Sequence, residues 1–331
     1  MRAGAALLAA AGVAAIATGC AGSKNFGVTD PSARSDLGAH RIAYAKEGSL
    51  YLARGDGTRP DRLMRGEDLG PGGTIFLPAL SEDRSRVLFI GALDLDVHDS
   101  TASRLQLNIL DVDGERVERW RSIVLDRILP AGAGGRYEIF DIAAAAWSLD
   151  GNRIALGLNL PQQHGGDAVM IFDAEGTPVS RIALGDRSLP RVGSIGWMGP
   201  ESLIVGLEGK GGGQGRVARL DVGAGAETTA RLIDIGPGDY PAFAPSLDRI
   251  AAVESRDGQW DIVVRDPAGG EIDRYVRPAG RAPNRPFWSG DGRYLYYYSL
   301  ASTGPLGIVE ITMLRCLDTR SRRVYDLVWL D

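Results

Sequence analysis

One short arrangement of residues recurs along this chain, and it constrains the fold more than any other feature. Each copy places a large side chain before a tight polar turn and follows the turn with a hydrophobic run typical of a β-strand. Asp-Gly turns supply the backbone conformation that tight hairpins need. The residues that define the clearest copies are Trp147, Asp150, Gly151, Trp197, Phe243, Trp288, Asp291 and Gly292.

The residue before each hydrophobic run marks the period of the repeat. Consecutive markers lie 44 to 49 residues apart, except for one gap of 67 residues. Units of this length with several strands each are typical of propeller blades, and they must stack because one sheet cannot bury both of its faces. We therefore predict an all-β six-bladed β-propeller with four-stranded antiparallel blades over residues 38–331. The six markers are Arg41, Arg86, Arg153, Ser202, Arg249 and Arg293.

The repeats resemble the WD40-like Pro-x-Trp-Ser-Pro-Asp-Gly units of the TolB propeller family, over nearly all of residues 38–331. The copies depart from that pattern, with Leu149 or Gly290 where the family has proline before the aspartate. The resemblance implies the propeller alone, because the sequence has no Gly-x-Ser-x-Gly elbow of the related peptidases and no room for an α/β domain before Gly38. It also implies contact with partners in the cell envelope.

The first residues have the features of a bacterial lipoprotein signal. A single positive charge and an apolar stretch precede Ala17, Thr18, Gly19 and Cys20, which resemble a lipobox. We predict a signal peptide over residues 1–19, lipidation of Cys20 and a flexible tether over residues 20–37. The lipid anchor predicts a periplasm-facing lipoprotein, and Ala21 after the cysteine favours the outer membrane.

The sequence leaves the closure of the ring open. The first unit lacks an inner strand, so either part of residues 21–38 pairs into a blade or residues 324–330 complete the seam. The gap between Arg86 and Arg153 carries about twenty extra residues relative to the period of the other units, which predicts long loops or added β-structure within residues 94–103 and 127–136.

A search for catalytic chemistry finds little. The histidines His40, His98 and His164 are isolated and have no metal-ligand spacing. Asp94 and Asp96 are weak candidates for a metal site, but their loop lacks the glycine of a calcium loop, which favours a solvated acidic loop. We predict no catalytic residue and no cofactor.

The composition limits the partners. The net charge of −5 lacks the attraction that a phosphate backbone demands, which argues against nucleic acid. If Cys20 carries lipid, Cys316 has no disulfide partner, and its apolar surroundings predict a buried thiol. We expect a monomeric, non-catalytic scaffold that binds a protein or peptide. The alternative is a metal-dependent propeller enzyme of the lactonase or lyase type.

Overall fold

The computed structural model describes residues 31–96, 101–114, 116–125, 137–138, 142–160, 167–184, 191–209, 214–222, 227–229, 231–256, 258–275, 282–303 and 308–330. The predicted signal peptide, Cys20, His98 and His164 lie outside these residues, as does the tether up to residue 30. No helix in the described ranges is both long and apolar enough to cross a bilayer.

Six antiparallel sheets form the blades of a propeller, which confirms the predicted all-β fold. Blade 1 has three strands, β1 (Arg41–Lys46), β2 (Ser49–Arg54) and β3 (Asp61–Met64). Blade 2 contains β4 (Thr74–Leu80), β5 (Arg86–Leu93), β7 (Arg104–Asp113) and β8 (Arg116–Val124). Blade 3 contains β10 (Ile142–Trp147), β11 (Arg153–Leu158), β12 (Ala168–Asp173) and β13 (Pro178–Ala183).

The second half of the ring has three further blades of four antiparallel strands. Blade 4 contains β14 (Val192–Gly199), β15 (Ser202–Leu207), β16 (Arg216–Asp221) and β18 (Leu232–Pro237). Blade 5 contains β19 (Asp239–Ala244), β20 (Arg249–Arg256), β21 (Gln259–Arg265) and β22 (Glu271–Tyr275). Blade 6 contains β23 (Ala282–Trp288), β24 (Tyr294–Thr303), β25 (Ile308–Asp318) and β26 (Arg323–Trp329).

Five short elements lie outside this repeat. The extra length of the second unit includes β6 (Thr101–Ala102), which pairs with β9 (Tyr137–Glu138), so part of it is added β-structure. The strand β17 (Glu227–Thr229) leaves blade 4 and pairs in parallel with β13 at the outer edge of blade 3. A 3₁₀ turn over Gly66–Leu69 precedes β4, and the helix α1 (Pro31–Gly38) precedes blade 1.

Each blade buries both of its faces, because alternate side chains of the strands point to opposite neighbours. In blade 2, for example, Val87 and Phe89 pack against blade 1, whereas Leu88 and Ile90 pack against blade 3. Comparable apolar clusters occupy the other interfaces around the ring. This is why the second strands read as continuous hydrophobic runs, as in fully buried sheets.

The ring closes by side-chain packing between blade 6 and blade 1. The strand β26 pairs with β25 inside blade 6, and Leu327 and Leu330 pack into one apolar cluster with Ile42 of β1. Leu37 of α1 is fully buried in the same cluster. The folded part therefore begins before the predicted boundary at residue 38, because the helix adds an apolar side chain to an interface that the three-stranded blade 1 leaves incomplete.

Candidate functional site

The recurring large side chains lie between neighbouring blades. Arg86 of blade 2 stacks over Trp147 of blade 3, with its guanidinium carbon 4.6 Å from the ring centroid. Arg153 makes the same contact with Trp197 of the next blade, at 4.8 Å. Such a stack combines a cation–π attraction with burial of a large apolar surface. Trp288 donates from Nε1 to the carbonyl of Ala242 in blade 5 at 3.1 Å, and Phe243 packs between blades 4 and 5.

The polar turns define one face of the ring, which we call the lower face. In the turn after Trp147, Ser148 Oγ donates to Asp150 Oδ1 at 2.6 Å, and the backbone N–H of Arg153 donates back to Ser148 Oγ at 2.8 Å. Gly151 closes this turn with φ 68°. The turn at Ser289, Asp291 and Gly292 has the same geometry. These residues stabilise the hairpins, and their side-chain hydrogen bonds lie within the turns.

Around His40, the lower face is densely packed. His40 lies 3.6 Å from Asp291 of blade 6 and 3.4 Å from Arg84 of blade 2, and its side chain is only 12% exposed. Arg84 further donates to the carbonyl of Ala39 at 3.0 Å. Burial lowers the pKa of His40. The segment after α1 therefore sits among the turns of three blades.

The weak metal candidates lie in a hairpin extension of blade 2. Asp94 accepts a hydrogen bond from Ser103 Oγ at 2.9 Å, and the backbone N–H of Asp96 donates to the carbonyl of Thr101 at 2.7 Å. Across the described ranges, no three histidine, cysteine or carboxylate side chains are grouped in a way that could hold a metal ion. Asp94 and Asp96 thus have structural contacts. Cys316 is free and fully buried beside Tyr296, as the sequence predicted.

The opposite face, where the first strands of blades 2 to 6 begin, has a different character, and we call it the upper face. In three blades the first strand carries a bulge at a residue that precedes a proline. Bulges re-aim side chains, and a left-handed conformation at a non-glycine residue is strained by about 1–3 kcal/mol. These residues are Leu77 (φ 51°), Tyr240 (φ 50°) and Arg285 (φ 45°).

Carboxylates from three consecutive blades converge beside these bulges. Asp167 directly precedes β12, Glu208 directly follows β15, and Asp239 is the first residue of β19. The backbone fixes two of them, because a Cβ at Gly215 would lie 1.9 Å from Asp239 Oδ1 and a Cβ at Gly193 would lie 3.3 Å from Glu208 Cγ. A side chain at Gly215 would displace the Asp239 carboxylate, whereas one at Gly193 would require only a small shift of Glu208.

The three carboxylates are harder to ionise than ordinary acidic side chains. Burial raises the pKa of Asp239 to about 6, even though the N–H of Gly215 hydrogen bonds to this carboxylate. Burial also raises the pKa values of Asp167 and Glu208, and Arg191 partly opposes both shifts. Groups with pKa values shifted by burial in this way concentrate at functional sites.

Arg285 shows that the cluster reaches the ring axis. Its charge acts on Glu208 of blade 4, on Tyr240 of blade 5 and on Tyr298 of its own blade. Arg285 lies on β23, and the first strands of blades 2 to 6 contact one another in series around the axis. Burial raises the pKa of Tyr298 to about 12 and also raises that of Tyr240.

We call this group the upper cluster, and sequence reasoning missed it. Its members are Asp167, Arg191, Glu208, Asp239, Tyr240, Asn284 and Arg285. They are far apart in the chain and match no motif. One signal was available in the repeat itself, since Tyr240-Pro241 and Arg285-Pro286 occupy the position that Leu77-Pro78 occupies in blade 2.

Comparisons with known proteins give the fold but no family by sequence. Neither a family model nor a curated protein matches the chain. The solved structures that resemble it include TolB from Acinetobacter baumannii, with a TM-score of 0.59 and 16% identity over 88% of this chain and 64% of the TolB chain. The fold is that of a TolB-like β-propeller.

Other propellers resemble the chain about as well. A chain of the nidogen/laminin complex has a TM-score of 0.58 and 13% identity over 88% of this chain and 93% of its own length. The tricorn protease has a TM-score of 0.57 and 13% identity, with 25% of its length covered. The resemblance to TolB therefore concerns about two-thirds of that protein, and identities this low show the architecture alone.

Proposed function

We propose that this chain is a non-catalytic envelope lipoprotein whose propeller holds a protein or peptide partner at its upper face. The observation that carries the proposal is the upper cluster, where strained bulges and partly dehydrated charges of four blades meet at the ring axis. Propellers suit binding because loops from all blades gather at the two ends of the ring. The nidogen/laminin and TolB neighbours are compatible with a binding scaffold.

Site-specific photo-crosslinking tests which face binds. A benzophenone amino acid at Arg256, an exposed residue at the upper end of blade 5, leaves the upper cluster intact. The matched control places it at Leu247, which is 38% exposed in the lower-face turn of the same blade. We expect a discrete adduct in envelope preparations from position 256 and none from position 247. Equal adducts from both positions, or none from position 256, would contradict the proposal.

The lipoprotein part of the proposal has its own test. Cys20 follows the apolar stretch and the small residues of the lipobox-like segment. Replacing it, Cys20→Ser, removes the thiol that would carry the lipid. We expect the variant to leave the membrane fraction, whereas unchanged partitioning would count against lipidation.

An enzyme is the second candidate, because a carboxylate with a pKa of about 6 suits a general base and some propeller neighbours are peptidases. In the metal-dependent form that the sequence suggested, the purified protein would hold one divalent ion. Elemental analysis of the protein and of Asp94→Ala and Asp96→Ala variants decides this point. A stoichiometric metal lost in those variants, together with hydrolase or lyase turnover, would replace the binding proposal.

A further inference from the structure

The upper cluster contains a buried hydrogen-bond acceptor that lacks a donor. Asn284 is only 4% exposed, and no protein group donates to its Oδ1 atom within the described part of the chain. Its side-chain amide hydrogen bonds to the hydroxyl of Tyr240, the residue that follows Asp239 in β19. A buried polar atom without a partner costs about 1–3 kcal/mol, so a donor supplied by a ligand would be favourable at Asn284 Oδ1.

The carboxylates of the cluster also lack ion-pair partners. Elsewhere in the ring, carboxylates pair closely with arginines, as Asp318 does with Arg293 at 3.0 Å. In the regions that the structure describes, no ion pair within 4 Å joins Asp167, Glu208 or Asp239 to an arginine. Arg191 donates instead to the carbonyl of Asn159 at 3.4 Å.

The net charge of the upper cluster favours a ligand that carries a positive charge. Three carboxylates face two guanidinium groups, so the ionised cluster carries one excess negative charge. A ligand that offers several N–H donors and one positive charge would satisfy both the carboxylates and the Asn284 oxygen. An anionic ligand would meet Arg191 and Arg285 but would leave Asn284 without a donor and add to the negative charge.

We propose that the upper cluster binds one cationic side chain of the partner, a lysine ammonium or an arginine guanidinium. This inference rests on the proposed function and adds the chemistry that recognises the partner. In this mode of binding the cation pairs with Asp239 and Glu208 and donates to Asn284 Oδ1.

The site responds to pH through the carboxylates. Asp239 loses its charge as the pH falls through about 6, and the raised pKa of Glu208 acts in the same direction. The other charged groups that face Asp239 and Glu208 are Asp167, Arg191 and Arg285, and the two arginines keep their charge throughout this range. The cluster therefore attracts a cation at pH 8 and loses that attraction by pH 5.

Titration with short capped peptides tests the inference. The probes are acetyl-Gly-Lys-Gly-amide and its arginine, norleucine and glutamate counterparts, and binding is followed by amide chemical shifts in NMR spectra of the full-length protein. We expect the lysine or arginine peptide to bind at pH 8 and to bind at least about fivefold more weakly at pH 5, in line with the loss of a charge-assisted hydrogen bond. Shifts should centre on the upper cluster.

Variants of single carboxylates distinguish binding at the upper cluster from nonspecific electrostatic attraction. Asp239→Asn and Glu208→Gln should each weaken the cationic peptide at least about fivefold, equivalent to about 1 kcal/mol. Asp248→Asn, on the exposed lower-face turn of blade 5, should leave it unchanged. No binding of a cationic peptide, or equal binding of the norleucine or glutamate peptide, would overturn the inference. Adducts at position 256 would still support the proposed function in that case.

Discussion

Asp239 connects the chemistry of the upper cluster with the stability of the fold. Its carboxylate is wedged against Gly215 and is partly withdrawn from water, which raises its pKa to about 6 from an ordinary value of 3.8. The folded state therefore resists ionisation of this group, whereas the unfolded chain does not. A residue that lowers the stability of the fold in this way is expected where its side chain serves a binding site.

Asp239→Asn should stabilise the protein at neutral pH. Well below pH 3.8 the carboxyl is protonated in both states, so the wild-type side chain carries no penalty. The penalty grows as the pH rises from there to the folded-state pKa, and above pH 6 its full value of about 1–3 kcal/mol applies. Urea unfolding should thus show a larger gain for the variant at pH 8 than at pH 4. Asp248→Asn is the control at pH 8 and should change the free energy of unfolding little, and a destabilised Asp239→Asn at pH 8 would contradict this prediction.

Among the elements, blade 5 departs most from a purely apolar sheet. Glu254 of β20 accepts hydrogen bonds from Arg265 of β21 and Arg274 of β22, both at 2.9 Å, with only 9% of its side chain exposed. Arg274 also binds Asp261 at 3.2 Å. Here a charged network replaces part of the hydrophobic interface with blade 4.

Removing one charge from this network should lower the free energy of unfolding. Glu254→Gln leaves the buried Arg265 without its carboxylate and removes one of the three carboxylates that pair with Arg274, and we expect a loss of about 3 kcal/mol in the free energy of unfolding. Glu271→Gln is the matched control, because Glu271 pairs with the same Arg274 but is 39% exposed, and it should cost less than about 1 kcal/mol. Urea denaturation measures both, and equal losses would refute the buried network.

The blades could be predicted from the sequence, whereas the upper cluster and α1 could not. The period of the markers and the continuous hydrophobic run of β5 predict the blades, because stacking demands apolar side chains on both faces. The upper cluster could not be predicted in the same way, since its residues come from four different blades and share no motif. The helix α1 was missed because residues 31–38 contain one large apolar residue, Leu37, among polar and small residues.

In the whole molecule, the integrity of the ring depends on the junction between blade 6 and blade 1. The first and last blades share no strand, so their interface depends on packing such as that of Leu37, Ile42 and Leu327. An ion pair from Arg293 of blade 6 to Asp36 of α1, at 2.5 Å, supports the same junction.

Leu37→Ala should weaken the closed ring. Truncating a fully buried leucine costs about 2–5 kcal/mol, and the loss should appear as a lower midpoint of thermal unfolding. Leu247→Ala on the exposed turn should change the midpoint little. A neutral Leu37→Ala would show that α1 does not contribute to the seam.

In the proposed mode of binding, the closed ring presents a partly dehydrated carboxylate that receives a cation at its upper face. The most direct measurement follows the ¹³Cγ shift of Asp239 against pH, with and without the lysine peptide. The account predicts a midpoint near pH 6 in the free protein and a lower midpoint when the peptide is bound, because a nearby positive charge favours the ionised carboxylate. A midpoint near 4 in the free protein, or one that the peptide leaves unchanged, would contradict it.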